Sequence, residues 1–197
     1  MWDERYGSEE FVYGSEPNTF LVEVAARLPK GGEVLCLGEG EGRNAVWLAK
    51  QGFRVTGIDA SAVGLAKAAR WAAEQGVTIE TVHANLADAD LGEARWDSVV
   101  SIFCHLPPAL RKQVHRHVVR ALRPGGVLLL EAYTPRQLEF GTGGPPNAEM
   151  MMDLVSLGDE LSGLSIEHGS ELVREVHEGR FHFGAGAVVQ FIARKPG

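Results

Sequence analysis

Short apolar runs alternate with amphipathic segments along the first two thirds of the chain. Most of the runs are continuous, as is typical of strands buried on both faces of a parallel sheet. They predict strands at Val34–Leu37, Phe53–Ile58, Val77–His83, Ser98–Phe103 and Val127–Glu131. The segments between them predict helices at Arg43–Gln51, at Ser61–Gln75 and from Pro108 to about Leu122. This alternation indicates an α/β fold, in which helices cover a mainly parallel sheet.

The pattern changes after the fifth predicted strand. Residues 132–147 are rich in glycine and proline and predict a long loop, and long loops in compact domains are often functional. A short helix is predicted at Leu157–Ser162, with Ser156 and Asp159 as its capping box. Two strands then follow each other without a helix between them, so we expect an antiparallel pair joined through residues 178–180; they are Ser165–Val176 and Ala185–Arg194.

Several polar side chains are predicted to be solvated. The apolar stripe of the helix that begins at Pro108 leaves its basic residues on other faces; they are Arg111, Lys112, Arg116, Arg120 and Arg123. His177 and His182 flank the predicted late turn without a third metal ligand, and we expect both at the surface.

Composition and charge exclude several classes of function. The formal net charge is −7, and no basic stripe with interleaved aromatic residues is present, which argues against nucleic-acid binding. No apolar stretch approaches the roughly 20 residues that span a membrane, and Met1–Tyr6 is too polar for a signal peptide. Cys36 and Cys104 lack the spacing of a metal site or a disulfide framework, so we expect no metal and a cytoplasmic location.

A glycine-rich turn follows the first predicted strand. Gly38, Gly40 and Gly42 carry no Cβ and let the backbone run close to a ligand. Asp59 ends the next strand about twenty residues later, where a carboxylate accepts hydrogen bonds from both hydroxyls of a ribose. The ligands of an open parallel sheet bind at this edge, so the two features together predict a nucleoside-containing ligand.

The residues of the turn favour a ligand without phosphate. Arg43 stands where the dinucleotide fingerprint GxGxxG has its last glycine. Glu39 and Glu41 would repel a pyrophosphate, since like charges a few ångströms apart cost about 1–4 kcal/mol at effective dielectrics of 80 to 20. S-adenosylmethionine instead carries a cationic sulfonium and a cationic ammonium, so it is the predicted cofactor.

The motifs resemble those of the class I S-adenosylmethionine-dependent methyltransferases, and most closely the tellurite-resistance and thiopurine methyltransferase-like branch. The resemblance covers nearly the whole chain and rests on these segments: 2–6, 13–18, 34–44, 55–61, 84–86, 96–100 and 122–126. It implies a Rossmann-like sheet of seven strands with an antiparallel last strand. We therefore predict one cofactor-binding domain over residues 1–197, in which residues 1–20 form a lid or an anchor.

The resemblance also implies roles for individual residues. Gly38 and Gly40 would face the methionine part of the cofactor, Asp59 the ribose, and Asn85 and Leu86 the adenine. The complete predicted cofactor site is Gly38, Glu39, Gly40, Arg43, Asn44, Asp59, Ala60, Asn85, Leu86, Ile102 and Phe103.

Two positions depart from the family pattern. Cys36 stands where an acidic residue usually orders the glycine turn, and our hypothesis is that Glu39 partly replaces it near the positive end of the cofactor. Asn85 stands where aspartate is common, and its amide oxygen can still accept a hydrogen bond from the adenine amine.

The acceptor side is less defined. His105 and Tyr133 follow the fourth and fifth predicted strands and are the predicted catalytic residues, with His105 as a base or an orienting group; a structural role in a loop fits them as well. Residues 141–146 are predicted to shape the acceptor pocket. Further candidates for contact with the acceptor are Tyr6, Tyr13, Arg136 and Thr142.

These features predict methyl transfer to a small molecule, first of all to a soft nucleophile such as a thiol or a selenium or tellurium species. A soft acceptor needs no general base when it is already deprotonated, which agrees with the lack of a nucleophile–base motif. The alternatives are an oxygen- or nitrogen-containing acceptor, or a non-catalytic protein that binds S-adenosylmethionine.

Overall fold

Seven strands form one sheet in the computed structural model, which describes residues 2–197. They are β1 (Glu33–Leu37), β2 (Arg54–Asp59), β3 (Glu80–His83), β4 (Trp96–Ile102), β5 (Leu122–Tyr133), β6 (Ser165–His177) and β7 (Phe183–Arg194). Their order is β3-β2-β1-β4-β5-β7-β6. Neighbouring strands from β3 to β5 are parallel, whereas β7 is antiparallel to both β5 and β6. The predicted Rossmann-like α/β fold with an antiparallel last strand is confirmed.

Helices cover both faces of this sheet. They are α1 (Trp2–Arg5), α2 (Thr19–Val24), α3 (Arg43–Lys50), α4 (Ala62–Glu74), α5 (Pro108–Ala121) and α6 (Leu154–Glu160). Within the part of the chain that the structure describes, none of them is both long and apolar enough to cross a membrane.

Alternate residues of β1 pack into two separate apolar clusters. Val34 and Cys36 lie in one cluster with residues of α2 and α3, and Leu35 and Leu37 lie in the other with residues of α5 and α6. Successive side chains of a strand point to opposite faces, so both faces of β1 must be apolar. This explains why β1 reads as a continuous apolar run and not as an alternating one.

Helix α6 begins three residues earlier than predicted. Its N-cap is Asp153, whose side chain accepts a hydrogen bond from the Ser156 backbone N–H at 2.7 Å. The predicted capping box at Ser156 and Asp159 was therefore wrong. An aspartate that reaches the backbone amide of the third residue after it is as good a cap as serine, and here it sets the start of the helix.

Replacing Asp153 by alanine is expected to lower the free energy of unfolding by about 1 kcal/mol, because one amide of the first turn of α6 loses its acceptor. The Ser156→Ala variant is the matched control and should change it by less than about 0.5 kcal/mol. Urea unfolding followed by circular dichroism measures both. Equal losses in the two variants would contradict the assignment of Asp153 as the N-cap.

Arg111 is buried, although it was predicted to be solvated. Its guanidinium lies 2.8 Å from Glu160 of α6, and it donates to the backbone carbonyls of Glu149 and Met151. His115 Nδ1 lies 2.7 Å from the same carboxylate. Burial alone would raise the pKa of Glu160, but the hydrogen bonds from His115 and Arg111 lower it to about 2. The packing of α6 against α5 covers this face of α5, which helical periodicity alone does not reveal.

Candidate active site

The carboxyl ends of four neighbouring strands bring the predicted site residues to one edge of the sheet. The glycine turn follows β1, Asp59 ends β2, Phe103 follows β4 and Tyr133 ends β5. This is the edge at which open α/β sheets bind ligands, because the loops there leave a crevice between neighbouring strands.

The glycine turn is in the left-handed region and is closely approached by two side chains. Gly38 and Gly40 both have φ of 60°. A Cβ on Gly38 would lie 2.9 Å from the Cys104 Sγ, and a Cβ on Gly40 would lie 2.6 Å from the Tyr6 hydroxyl oxygen. Conformation and space therefore both require glycine here. Burial, and then the charge of Asp59, raise the pKa of the Cys104 thiol to about 12, so this thiol is protonated at neutral pH.

Asp59 joins the glycine turn to the start of α4. Its Oδ2 accepts a hydrogen bond from the Gly40 backbone N–H at 2.9 Å, and its Oδ1 accepts one from the Ser61 backbone N–H at 2.8 Å. Each oxygen has a second acceptor position, so the carboxylate keeps the capacity to accept from two hydroxyls. Burial raises the pKa of Asp59, although hydrogen bonds from the Ser61 and Gly40 amides act in the opposite direction.

Glu39 holds the glycine turn from inside the protein. Its Oε1 accepts a hydrogen bond from the Ala45 backbone N–H at 2.8 Å, in the first turn of α3. Its Cγ would lie 3.0 Å from a Cβ on Gly57, so the absence of a side chain at Gly57 makes room for it. Glu39 therefore links the turn to the start of α3, and its role near the positive end of the cofactor stays a prediction. Burial raises the pKa of Glu39 to about 7, against the hydrogen bond from Ala45.

The raised pKa of Glu39 gives a pH-dependent contribution to stability. Between its ordinary pKa of 4.5 and about 7, the folded protein binds more protons at this carboxyl than the unfolded chain does. The free energy of unfolding therefore falls as pH rises through this window. We expect wild-type protein to lose about 1–3 kcal/mol more than Glu39→Gln between pH 5 and pH 8. Urea unfolding at both pH values measures the difference, and parallel losses in the two proteins would contradict it.

Arg43 and Asn44 were predicted to bind the cofactor, and in the structure each of these side chains also has a partner within the protein. Arg43 forms an ion pair with Glu178 and donates to the Glu16 carbonyl at 3.4 Å. The Asn44 Oδ1 accepts from the Asn18 backbone N–H at 3.0 Å. These two side chains join α3 to the N-terminal segment and to the turn between β6 and β7.

The charges of the turn are also arranged differently from the prediction. Glu41 pairs with Lys67 at 2.5 Å, so its negative charge is balanced. The predicted preference for a cationic ligand therefore depends on Asp59 and Glu39 and not on both glutamates of the turn.

The other predicted cofactor residues lie around this edge with different exposures. Ala60 is exposed, and so is Asn85, whose Oδ1 accepts from the Ala87 backbone N–H at 3.0 Å. Leu86 and Ile102 are buried in the two apolar clusters. In this arrangement the Leu86 side chain packs in the core.

His105 and Tyr133 are adjacent in the structure. The Tyr133 backbone N–H donates to His105 Nε2 at 3.0 Å, and the two rings stack with centroids 5.7 Å apart. Burial lowers the pKa of His105 to about 3, with a smaller effect from His182. An imidazole that is so weakly basic and already accepts a hydrogen bond orients its neighbours better than it removes a proton.

His182 completes this group, although it was predicted to lie at the surface. It is 9% exposed, and its ring contacts Phe103, Tyr133 and Tyr13 with centroid distances of 4.9, 5.2 and 4.9 Å. His177, on the same hairpin, is exposed as predicted. The antiparallel pairing of β7 with β5 carries the start of β7 to the carboxyl end of β5. The predicted hairpin was the one signal in the sequence that could have placed His182 here.

Residues 2–18 lie across the glycine turn, and we call them the N-terminal strap; Met1, which begins the predicted lid segment, is outside the described residues. Tyr6 is 5% exposed and covers Gly40. The Asp3 carboxylate accepts from the Ser61 hydroxyl at 2.5 Å, and Arg5 donates to the Tyr13 hydroxyl at 2.9 Å.

Buried polar contacts hold the middle and the end of the strap. Lys67 donates to the carbonyls of Ser8 and Glu10, both at 2.8 Å, while it pairs with Glu41. Asn18 is fully buried and donates to Glu131 at 2.6 Å. The strap is therefore anchored at three points along its length.

Two further acceptor-side candidates lie at the rim. Arg136 is exposed and lies 3.6 Å from Glu139. Thr142 donates its hydroxyl to the Ala185 carbonyl at 2.6 Å and accepts from Gln137 at 2.9 Å, so it fixes the glycine-rich loop against β7. Neither side chain contacts Tyr133 or His182 through a hydrogen bond.

The residues at this edge fit S-adenosylmethionine. Gly38 is exposed, and its backbone offers a surface without a Cβ. Asp59 retains acceptor capacity for ribose hydroxyls. Cys104 and Tyr6 lie against the positions that a Cβ on Gly38 and a Cβ on Gly40 would occupy.

Comparisons with known proteins agree with this geometry. Residues 34–126 match the family model of a methyltransferase domain. A 2-heptyl-1-hydroxyquinolin-4(1H)-one methyltransferase of Mycobacteroides abscessus is 32% identical over 113 residues, which are 56% of this chain and 50% of the relative. The chain spans about half the length of the curated relatives it matches.

Two solved structures share the whole fold. One is described for the conversion of a disulfide bond into a thioacetal group during echinomycin biosynthesis. It has a TM-score of 0.79 at 22% identity, and the aligned part is 98% of this chain and 88% of the other. TehB from Haemophilus influenzae has a TM-score of 0.75 at 20% identity, and the aligned part is 98% of this chain and 65% of TehB. At these identities the likeness establishes the fold alone. The family match covers residues 34–126, slightly less than half of the chain, and the structural likeness adds that nearly the whole chain shares this fold.

Proposed function

We propose that this protein transfers a methyl group from S-adenosylmethionine to a small organic or inorganic acceptor. The observation that carries the proposal is the hydrogen bond between the glycine turn and Asp59, in which the Gly40 N–H donates to Asp59 Oδ2 at 2.9 Å. This hydrogen bond holds a backbone surface without Cβ atoms beside a carboxylate suited to a ribose.

When bound, S-adenosylmethionine would supply an electrophilic methyl group for an acceptor lone pair, with S-adenosylhomocysteine as the leaving group. The contribution of the protein is placement, which converts an encounter of two molecules into a reaction within one complex. Phe103 and Tyr133 stack with centroids 4.5 Å apart and form a rigid wall between the cofactor edge and the acceptor side. Through its hydrogen bond to the Tyr133 backbone, His105 fixes this wall.

The N-terminal strap acts as a lid in this proposal. Tyr6 lies over Gly40, and Arg5 is within 5.2 Å of the Phe181 ring on the hairpin turn, so the strap bridges both sides of the crevice. A closed strap would exclude water from the reacting atoms. Arg43 and Asn44 contribute by holding the strap and the hairpin together.

We favour a soft nucleophile as the acceptor. The proposed base His105 has a low pKa, and Cys104 and Tyr133 have raised pKa values because they are buried, so none of the three removes a proton well at neutral pH. An acceptor that reacts without such help suits this site. The resemblance to the tellurite-resistance branch and the sulfur chemistry of the echinomycin neighbour point in the same direction.

A hydroxylated heterocycle is the second candidate. It is favoured by the aromatic walls of the acceptor side and by the Mycobacteroides abscessus relative, whose name specifies a hydroxyquinolinone. Such an acceptor would have to lose its proton to water or before binding, because the nearby imidazoles are weak bases.

A screen for release of S-adenosylhomocysteine tests the proposal. Purified protein is supplied with S-adenosylmethionine and with thiols, selenite, tellurite and hydroxylated heterocycles, and calorimetry measures binding of S-adenosylmethionine, S-adenosylhomocysteine and NAD. We expect binding of the two sulfur nucleosides and turnover with a member of the thiol class. Binding of NAD alone would overturn the proposal, and cofactor binding without turnover on any acceptor would favour a non-catalytic binding protein.

A further inference from the structure

Two buried polar atoms at the acceptor side have no hydrogen-bond partner within the described residues. They are the Tyr133 hydroxyl oxygen and His182 Nδ1. Tyr133 is fully buried and His182 is 9% exposed. Buried polar groups are nearly always paired in folded proteins, because an unpaired one costs about 1–3 kcal/mol. Two such groups on neighbouring rings therefore mark a place where a ligand completes the hydrogen bonding.

The two atoms lie beside the glycine-rich loop. A Cβ on Gly143 would lie 3.2 Å from the Tyr133 hydroxyl oxygen and 2.9 Å from His182 Cδ2, and a Cβ on Gly144 would lie 2.9 Å from the Tyr133 ring. Gly143 and Gly144 have φ of 139° and 91°. These glycines bring the loop close to both rings, so the loop forms the outer wall of this place.

The surrounding charges disfavour an anion here. Arg43 pairs with Glu178, and Arg174 pairs with Glu131 at 2.5 Å, so neither guanidinium is available to an acceptor. Burial, and then the charge of Glu178, raise the pKa of Tyr133, and burial lowers the pKa of His182 to about 4. At neutral pH the phenol and the imidazole are therefore both uncharged.

We infer that His182 and Tyr133 bind the methyl acceptor, and that the acceptor is an uncharged, flat organic molecule whose polar group hydrogen-bonds to His182 Nδ1 and to the Tyr133 hydroxyl. This inference rests on the proposed function and narrows its acceptor class to uncharged molecules that react through a neutral lone pair or lose their proton to water. Phe103 and Tyr13 supply the apolar walls, since both rings contact His182. Oxyanions such as selenite and tellurite are disfavoured in this place, because Arg43 and Arg174 are already paired with Glu178 and Glu131 and the uncharged rings of Tyr133 and His182 add no positive charge.

Binding in the presence of S-adenosylhomocysteine tests the inference without turnover. The probes are 2-mercaptopyridine and 4-hydroxyquinoline as flat uncharged molecules, and selenite and tellurite as oxyanions, each titrated by calorimetry. We expect at least one flat probe to bind wild-type protein more tightly than both oxyanions. We expect two variants to lower the affinity for that flat probe about 10-fold each, which is the effect of one hydrogen bond. They are His182→Phe, which keeps a ring but loses Nδ1, and Tyr133→Phe.

Two controls separate acceptor binding from packing. His182→Asn retains a polar atom near the position of Nδ1 and should bind the flat probe within about threefold of wild type. His177→Asn, on the exposed part of the same hairpin, should leave binding unchanged. All variants should bind S-adenosylhomocysteine as wild type does, and none should melt more than about 3 °C below wild type.

Probe binding by His182→Phe at wild-type strength would overturn the inference, and so would tighter binding of an oxyanion or the failure of both flat probes to bind. If wild-type protein does not bind S-adenosylhomocysteine at all, the proposed function itself fails. The cofactor titration therefore distinguishes the two failures.

Discussion

Replacing Asp59 by asparagine is expected to weaken binding of S-adenosylmethionine about 100-fold. The carboxylate holds the Gly40 and Ser61 amides at 2.9 and 2.8 Å and has capacity left for two ribose hydroxyls. Asparagine has one acceptor oxygen in place of two, and its NH₂ group would face a backbone donor. Loss of hydrogen bonds to a charged acceptor costs about 1.5–3 kcal/mol each, which corresponds to a factor of 10 or more per bond. Calorimetric titration of the cofactor measures this loss.

A comparison of two nucleosides tests whether Asp59 contacts the ribose. Wild-type protein should bind adenosine more tightly than 2′-deoxyadenosine, and Asp59→Asn should lose most of that preference. Asp90→Asn is the matched control, because the Asp90 side chain is largely exposed and lies away from the glycine turn, with Arg120 at 3.1 Å and the Gly92 backbone N–H at 2.9 Å as its partners. If Asp59→Asn keeps the wild-type affinity for S-adenosylmethionine, Asp59 does not hold the ribose.

Replacing Glu131 by alanine is expected to lower the free energy of unfolding by about 3–5 kcal/mol. Glu131 is fully buried and accepts hydrogen bonds from Asn18 at 2.6 Å, Gln190 at 2.8 Å and Arg174 at 2.9 and 2.5 Å. Its removal leaves Glu178, at 3.2 Å, as the remaining carboxylate for Arg174 and takes one acceptor from each of two amides. Removal of one partner from a buried ion pair is strongly destabilising. Urea unfolding monitored by circular dichroism measures the effect.

The matched control for Glu131 is Glu139→Ala. Glu139 is exposed and lies 3.6 Å from Arg136, so its removal should change the free energy of unfolding by less than about 0.5 kcal/mol. Glu131→Gln should fall between the two, because it keeps the shape and part of the hydrogen bonding. A loss below about 1 kcal/mol in Glu131→Ala would mean that the buried network contributes little to stability.

This network also explains how the site is assembled. Glu131 lies on β5, Asn18 ends the N-terminal strap, and Arg174 lies on β6. Arg43, next to the glycine turn, joins the same group through Glu178. The strap, the turn and the hairpin are thus linked by charges that lie far apart in the sequence, so loss of one member should loosen the cover over the site as well as the fold.

The sequence by itself determined the parts of this protein that depend on neighbouring residues. The apolar run Val34–Leu37, the glycine turn and Asp59 are local signals, because burial on both faces, a left-handed φ and a strand end each require particular residue types at that point. The prediction of an antiparallel hairpin at the end of the chain was local in the same sense, since two strands without a helix between them leave little alternative.

Tertiary structure alone decided which polar groups are paired. Arg43 and Asn44 read as cofactor ligands in the sequence, but Glu178 and Asn18, 135 and 26 residues away, engage them. Arg111 is buried because α6 packs on it, and His182 is buried because β7 pairs with β5. The pattern of residues along a chain indicates which face of a helix or strand is apolar, but the partner of a buried charge is set by the folding of distant segments onto each other.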